Sequence, residues 1–156
     1  MKRSQRLAQM DCSIARTLDI IGEWWTPLVL REIFFGRRRF EEMLGDLGIA
    51  RNILADRLAT LVDHGIVHRH PYSARPLRYE YHLTERGAEL LPVLVALMTW
   101  GDRWLYGGEP PMQVLHKQCG HAVDSTLLCA TCGVEVTLDV VKACRTPKLA
   151  RAADAS

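Results

Sequence analysis

We predict a mainly helical fold of the α+β class from three observations on the 156-residue sequence. Apolar residues recur at three- and four-residue spacing through several segments before residue 106, which is typical of amphipathic helices. Two short segments, 67–71 and 80–83, have the composition of paired strands and predict a β-hairpin. A Gly-Gly-Glu-Pro-Pro run at 107–111 marks the end of the helical part, and a cysteine-containing tail follows it.

Composition and charge restrict the class of protein. The apolar fraction of 48% supports a packed core, and the 24% of charged residues suits a soluble protein. The net charge is only +2, so any affinity for nucleic acid must come from local clusters of basic residues. The N-terminus lacks the apolar core of a secretory signal, and the apolar run at 90–100 is too short to span a bilayer. We therefore expect a cytoplasmic protein with reduced thiols and no membrane partner.

Two helices are predicted between a basic N-terminal arm, residues 1–11, and an arginine triplet at 37–39. The first helix is expected to begin after an N-cap at Ser13 and to end at Gly22. Its buried stripe is predicted to be Ile14, Leu18 and Ile21. The second helix is patterned by Trp24, Trp25, Leu28, Val29 and Ile33. We expect its tryptophans to pack in the core and in a dimer interface.

The segment from 40 to 67 organises the chain, because it predicts two helices joined by a tight turn. The first helix covers 40–47, and Gly48 can adopt the positive φ that ends it. The second covers about 51–64 and is predicted to bury Leu54, Leu58 and Leu61. Its opposite face is polar and consists of Asn52, Asp56, Ala59 and Asp63. This is the helix-turn-helix pattern, with an ordinary helical hairpin in a core as the alternative.

Arginines flank the polar face of the second helix. Residues 31–78 contain nine Arg and six acidic residues. The predicted hairpin is expected to be the wing of a winged helix, with Arg75 and Arg78 at its tip. Arg51 and Asn52 are expected to reach base edges, because Arg can bind guanine and Asn can bind adenine through two hydrogen bonds. The predicted DNA-binding residues are Arg37, Arg38, Arg39, Arg51, Asn52, Arg57, Arg75 and Arg78.

The sequence GIARNILADRL, with RRF before it, HGIV after it and YEYHLTERG further on, resembles the HxlR family of winged helix-turn-helix transcriptional regulators. The resemblance runs from residue 12 to about 104. It implies a domain at 12–106 that binds double-stranded DNA. It also implies a long C-terminal dimerisation helix, predicted to follow an N-cap at Thr84, that packs with the first helix of a second subunit. A two-fold homodimer would place its recognition helices about 34 Å apart, one turn of duplex.

Cys12 is a candidate redox residue. Its position near a helix start with a basic neighbour favours a reactive thiol. Some members of the HxlR family sense oxidants or electrophiles through a cysteine at about this place. The alternative is a small, half-buried side chain without a chemical role.

A small zinc-ribbon-like appendage is predicted at 113–144, after a linker at 107–112. It holds two copies of one pattern, in which a metal-ligating residue is followed by two residues, a cysteine and a glycine. The two copies supply four ligands, which suits a closed, structural Zn²⁺ site. These ligands are His116, Cys119, Cys129 and Cys132, with His121 and Cys144 as alternatives. Two unrelated cysteine pairs in a variable tail are the other possibility, and residues 145–156 are predicted to be disordered.

The function that these patterns predict is a dimeric, sequence-specific DNA-binding transcriptional regulator with structural zinc. One alternative is a protein-interaction adaptor that docks through the zinc ribbon. Another is a thiol-based redox-sensing regulator that uses Cys12. An enzyme is not expected, because the sequence shows no Ser/His/Asp set, phosphate loop or open metal site. The sequence does not determine the operator, the sign of regulation or a small-molecule effector.

Overall fold

The computed structural model describes residues 7–142, which fall into two compact units. The first unit ends at Val123 and the second begins at Asp124. Most of the predicted N-terminal arm, the alternative ligand Cys144 and the tail predicted to be disordered lie outside the described residues. The predicted linker and appendage bounds stay predictions.

The first unit combines helices with a two-stranded antiparallel sheet, which confirms the predicted α+β class. Its helices are α1 Ser13–Ile21, α2 Trp25–Phe34, α3 Phe40–Leu47, α4 Arg51–Asp63, α5 Glu85–Ala88 and α6 Leu91–Trp104. Its strands are β1 Val67–Ala74 and β2 Leu77–Leu83. Across residues 7–142, no helix is long and apolar enough to cross a membrane.

The core forms where α2, α3 and α4 meet the start of β1. The predicted stripe of α4 is confirmed, since Leu54, Leu58 and Leu61 are all at most 1% exposed. Burial of one leucine side chain contributes about 1.5–3 kcal/mol to the free energy of unfolding. The buried cluster comprises Ile21, Val29, Leu30, Ile33, Met43, Ile49, Leu54, Leu58, Leu61, Ile66, Val67 and Leu94. This cluster fixes the helix-turn-helix against the rest of the first unit.

The predicted buried stripe of α1 is wrong for two of its three residues. Ile21 is buried, but Ile14 is 71% exposed and Leu18 is 48% exposed. The N-cap is Cys12 rather than Ser13, and no side chain caps the helix. Apolar spacing correctly locates an apolar face here, but Ile14 and Leu18 on this face are left uncovered by the described residues of the chain.

The hairpin is longer than predicted. β1 continues through Ala74 and β2 begins at Leu77, so only two residues connect the strands where a loop over 71–79 was predicted. Arg78 therefore lies in β2, while Arg75 is at the tip. The hairpin also pairs with the chain before α3, because the Tyr81 N–H donates to the Arg38 carbonyl oxygen at 2.8 Å.

The single helix predicted after Thr84 is two helices. The Thr84 side chain accepts a hydrogen bond from the Gly87 N–H at 3.1 Å, which confirms the predicted N-cap. α5 ends at Ala88, and α6 begins at Leu91 with Pro92 in its first turn. A proline inside one continuous helix would clash with the preceding turn and lacks an N–H donor, so the chain starts a new helix here.

Candidate nucleic-acid interface

α3, α4 and the turn between them form the helix-turn-helix that the sequence predicts. Gly48 has a φ of 61° and donates its N–H to the Leu44 carbonyl oxygen, which ends α3. Met43 of α3 and Leu54 of α4 are fully buried in the same core cluster. The outward residues of α4 are all exposed, namely Asn52, Asp56, Ala59 and Asp63. The first turn of α4 therefore presents polar groups on the surface.

The first turn of α3 is capped by an acidic residue that sequence reasoning missed. Glu42 Oε2 accepts hydrogen bonds from the backbone N–H groups of Arg38 at 3.2 Å and Arg39 at 3.1 Å. A carboxylate at a helix N-terminus also interacts favourably with the helix dipole. The cap holds the backbone of the arginine triplet against α3. A Glu three residues after the N-cap position is the feature that could have revealed it.

Four of the predicted DNA-binding arginines are paired with acids, and Arg37 and Arg57 are two of them. Arg37 Nε lies 3.2 Å from Oε2 of the buried Glu32 and also pairs with Asp46. Arg57 pairs with its neighbour Asp56. These guanidinium groups can reach DNA phosphates only by sharing or leaving their carboxylates.

Arg39 connects the arginine triplet to the wing. Its Nε donates to Glu80 Oε1 at 3.0 Å, and its guanidinium carbon lies 4.5 Å from the centroid of the Tyr72 ring. The hydrogen bond from Arg39 lowers the pKa of the Glu80 carboxyl and is the main cause of that shift. Both wing strands thus contact the residue that precedes α3.

Arg51, at the start of α4, is held by the first turn of α3. Its Nη1 and Nη2 donate to the two oxygens of Glu41 at 2.7 and 2.9 Å. Its guanidinium carbon also lies 5.2 Å from the Phe40 ring centroid. The hydrogen bond from Arg51 is the largest cause of a lowered pKa at Glu41, and the charge of Arg78 lowers that pKa further. Glu41 therefore lies near basic groups of both the recognition helix and the wing.

Three of the predicted contacts, Arg38, Arg75 and Arg78, make no ion pair within 4 Å to any residue of 7–142. Arg38 precedes α3, Arg75 is at the tip of the wing, and Arg78 lies in β2. In the sequence, Arg38 precedes α4, and Arg75 and Arg78 follow it. Their charges remain available to an anionic partner.

Each copy of the tail pattern forms a small hairpin with the same internal hydrogen bonds. In the first, the Gly120 N–H donates to the His116 carbonyl oxygen at 2.8 Å. In the second, the Gly133 N–H donates to the Cys129 carbonyl oxygen at 2.8 Å. The two glycines have φ values of 71° and 70°, which a side chain would disfavour. The repeated sequence pattern is thus a repeated backbone structure.

The two predicted ligands of each hairpin lie close together. His116 Nδ1 is 3.2 Å from Cys119 Sγ. In the second hairpin, hydrogen bonds from the backbone of Cys132 and Thr131 lower the pKa of the Cys129 thiol. Over the part of the chain that the structure describes, no three His, Cys, Asp or Glu side chains form a cluster that could hold a metal ion. Each hairpin by itself supplies two ligands.

The family follows from the match of residues 20–109 to HxlR-like helix-turn-helix proteins. This chain belongs to the HxlR-like helix-turn-helix family. The match covers α2 to α6, including both wing strands. The resemblance drawn from the recognition-helix sequence is therefore confirmed.

Relatives of this HxlR-like chain are named as regulators. Rv3095 of Mycobacterium tuberculosis, an uncharacterized HTH-type transcriptional regulator, is 48% identical to this chain over 126 residues. The aligned residues make up 80% of each of the two proteins. The crystal structure of PA1607, for which a role as a transcription factor has been suggested, has a TM-score of 0.81 and 34% identity, covering 90% of this chain and 99% of its own. The redox regulator HypR in its reduced form has a TM-score of 0.56 and 32% identity, and the match covers 62% of this chain and 99% of HypR.

The two structures cover different shares of this chain. The tenth of this HxlR-like chain that PA1607 leaves uncovered is about 16 residues, which is shorter than the predicted appendage of 113–144. Part of that segment therefore falls within the likeness to PA1607. HypR covers 62% of this chain, about the length of the predicted helix-turn-helix domain.

Cys12 is exposed at the N-cap of α1 in this HxlR-like protein. Cys119 and Cys132 are also exposed, Cys129 is half-buried, and none of these four thiols is in a disulfide. The alternative of a half-buried, unreactive position does not describe Cys12, since its side chain is open to solvent. Exposure is one requirement for a thiol that reacts with oxidants.

Proposed function

We propose that this HxlR-like protein is a transcription regulator that binds a specific sequence of double-stranded DNA as a homodimer. The observation that carries the proposal is the exposed polar start of α4, flanked on both sides by arginines that make no ion pair with any described residue. Asn52 and Arg51 would contact base edges in the major groove. Arg38, Arg75 and Arg78 would contact phosphates. Arg37, Arg39 and Arg57 remain proposed contacts whose carboxylate pairs DNA must share or replace.

The proposal of a homodimer rests on apolar side chains that the single chain leaves exposed. On α6, Trp100 is 60% exposed and Trp104 is 67% exposed, and Leu97 shares their exposure. Ile14 and Leu18 of α1 are exposed as well. A second copy that covers α1 and α6 would bury these side chains and would present two recognition helices to one face of a duplex.

Binding to a selected duplex tests the proposed function. A duplex enriched from a randomised pool and a scrambled duplex of equal composition are titrated with the full chain at about 50 and 200 mM salt. We expect tighter binding to the selected duplex and a steep loss of affinity with salt, because neutralised phosphates release counterions. No binding at the lower salt concentration would contradict the proposal. It would favour the alternative of a protein-interaction adaptor that docks through the zinc ribbon.

We also propose that His116, Cys119, Cys129 and Cys132 bind one structural Zn²⁺. Zn–S bonds of about 2.3 Å and Zn–N bonds of about 2.0–2.1 Å would let one ion touch both His116 and Cys119, whose ligand atoms are 3.2 Å apart. The matching hairpin geometry around Cys129 supports an equal role for the second pair. The ion would cross-link the segment, which is too short to fold on a hydrophobic core of its own.

Metal analysis tests the zinc proposal. Protein purified without added zinc should contain about one equivalent per chain, and Cys129→Ser should lose it. A chelator should unfold the predicted appendage but leave the helix-turn-helix domain folded, because that domain has its own buried core. Less than about a tenth of an equivalent, also after zinc is added back in excess, would contradict the site.

The second candidate function is redox sensing by Cys12. Its support is the exposure of Cys12 together with the likeness to HypR, which is described as a redox regulator. Treatment with a mild oxidant should then change DNA affinity in the parent protein and not in Cys12→Ser. Equal responses of the two proteins would contradict a role for Cys12.

We propose no enzymatic activity, in keeping with relatives that are named as regulators. We place the protein in the cytoplasm, because a transcription regulator must reach the chromosome.

A further inference from the structure

Among the described ion pairs at this interface, the pair of Glu41 and Arg51 is the one in which both partners are more than half exposed. The side chain of Arg51 is 63% exposed and that of Glu41 is 67% exposed. Even so, the contact uses both carboxylate oxygens and both terminal guanidinium nitrogens. The ring of Phe40 lies beside the same guanidinium. A long side chain at the start of the recognition helix is thereby restricted from two sides.

The way Glu41 binds Arg51 leaves part of the guanidinium available. A guanidinium has five N–H donors, and the pair uses one on Nη1 and one on Nη2. The Nε–H and the second N–H of each terminal nitrogen are left. Two adjacent donors of this kind match the O6 and N7 acceptors of guanine.

The charge of Glu41 distinguishes a base from a phosphate as the partner of Arg51. A phosphate on the same guanidinium would bring two anions together, whereas a guanine edge is neutral and adds no such repulsion. Arg78 of the wing is close enough to lower the pKa of the Glu41 carboxyl, so the acid also lies within range of a proposed phosphate contact. A carboxylate at this position therefore opposes backbone binding and tolerates base binding.

We propose that Glu41 is a specificity-determining positioning residue, which holds Arg51 for a guanine edge and keeps phosphate away from it. This inference rests on the proposed function. Its counterpart at α3 is Glu42, whose carboxylate caps the helix and faces backbone N–H groups instead. The two adjacent acids thus have separate roles, one in folding and one in recognition.

The test compares full-length variants on the selected duplex and on the scrambled duplex. Glu41→Gln removes the charge and keeps the size of the side chain. Glu109→Gln is the matched control, because it makes the same substitution at an exposed residue of the predicted linker, outside the helix-turn-helix and the wing. Arg51→Ala and the double variant Arg51→Ala/Glu41→Gln show whether Glu41 acts through Arg51. Thermal unfolding of every variant checks that the fold is intact.

We expect Glu41→Gln to lower the ratio of selected to scrambled affinity about tenfold, because the base contact is lost while backbone binding is eased. Its affinity for the scrambled duplex should rise, and Glu109→Gln should leave the ratio within about twofold. In the Arg51→Ala background, Glu41→Gln should not lower the ratio of selected to scrambled affinity any further.

Equal tightening of Glu41→Gln on both duplexes would overturn the inference, because Glu41 would then be a simple mask over Arg51. An unchanged ratio, with the parent protein still discriminating, would also overturn it and would leave the proposed function standing. If the parent protein does not discriminate between the duplexes, the proposed function fails first and this inference fails with it.

Discussion

At the scale of single residues, the chain's own carboxylates already occupy four of the guanidinium groups that were predicted to bind DNA. Arg37, Arg39, Arg51 and Arg57 each pair with an acid. Exposed pairs of this kind contribute about 0–1 kcal/mol, so DNA can replace them at little cost. They set the orientation of side chains that would otherwise be mobile. Asn52, by contrast, is a neutral, exposed amide in the same turn.

Asn52→Ala should weaken binding to the selected duplex by about 1–3 kcal/mol and leave the scrambled duplex unaffected, because a bidentate base contact is removed without a change of charge. Fluorescence anisotropy on the two duplexes measures both affinities. Arg75→Ala is the contrasting variant, since loss of a phosphate contact should weaken both duplexes alike and reduce the salt slope. Equal losses on both duplexes for Asn52→Ala would exclude base reading by this residue.

Glu32 is the acid in the arginine network that matters for stability. It is 3% exposed and lies 2.5 Å from Arg31 Nη2 and 3.2 Å from Arg37 Nε. We expect Glu32→Gln to lower the free energy of unfolding by about 1.5–3 kcal/mol, because a buried charged acceptor is lost. Urea unfolding at one fixed protein concentration measures this.

The matched control for Glu32→Gln is Glu41→Gln, which makes the same substitution at an exposed position. It should change the free energy of unfolding by at most about 0.5 kcal/mol. Similar changes in the two variants would show that the buried network does not stabilise the fold.

At the scale of elements, the wing is attached to the helix-turn-helix at two places. Within β2, Tyr81 and Glu80 bond to the arginine triplet before α3. Just after β2, the Thr84 hydroxyl donates to the Gly65 carbonyl oxygen at 2.7 Å, and Gly87 of α5 packs directly on the Ile66 carbonyl. The angle between wing and recognition helix is therefore determined by backbone contacts as well as by side chains.

Gly87→Ala should destabilise the first unit by at least about 1–3 kcal/mol, because the new methyl group would collide with the Ile66 backbone and press on Leu83. Gly45→Ala in α3 is the control, since no neighbouring atom lies within 4 Å of a methyl group there. Alanine is the better helix former, so this control should raise stability by about 0.5–1 kcal/mol. Unfolding curves that rank the two variants in the opposite order would contradict the packing argument.

At the scale of the whole molecule, the exposed apolar faces of α1 and α6 connect stability to function. A single recognition helix contacts only a few base pairs, and two-fold symmetry would double the contacts on a palindromic site. Affinity for an operator should therefore depend on the association of two chains. Side chains that serve only this association can be changed without loss of the core.

Trp100→Glu should convert the dimer to a monomer, because it would bury a charge in an apolar interface. The monomer should keep its circular dichroism spectrum, since Trp100 lies outside the buried cluster. Leu77→Glu, at an equally exposed apolar residue in the wing, is the control that should leave the dimer intact. Analytical ultracentrifugation gives the mass of each, and a monomeric parent protein would contradict the proposed assembly.

Much of the first unit could be predicted from local patterns. The bounds of α3 and the start of α4 agree with the prediction, because apolar periodicity and Gly48 mark them within a few residues. The position of the wing agrees with the prediction, but its strands are longer than predicted. Arg75 and Pro76 alone connect them, where the sequence predicted a longer loop. The repeat in the tail could be predicted because the spacing of its His, Cys and Gly residues is a property of neighbouring residues.

The sequence by itself determined which faces are apolar, where α3 ends and α4 begins, and which residues of the recognition helix point outward, because these follow from the spacing of neighbouring residues. Only the tertiary structure decided which charges meet and which apolar faces stay open. Arg39 and Glu80 are 41 residues apart, and only the approach of β2 to the arginine triplet brings them together. The spacing of Ile14 and Leu18 identifies an apolar face, but which element covers it depends on how whole segments pack.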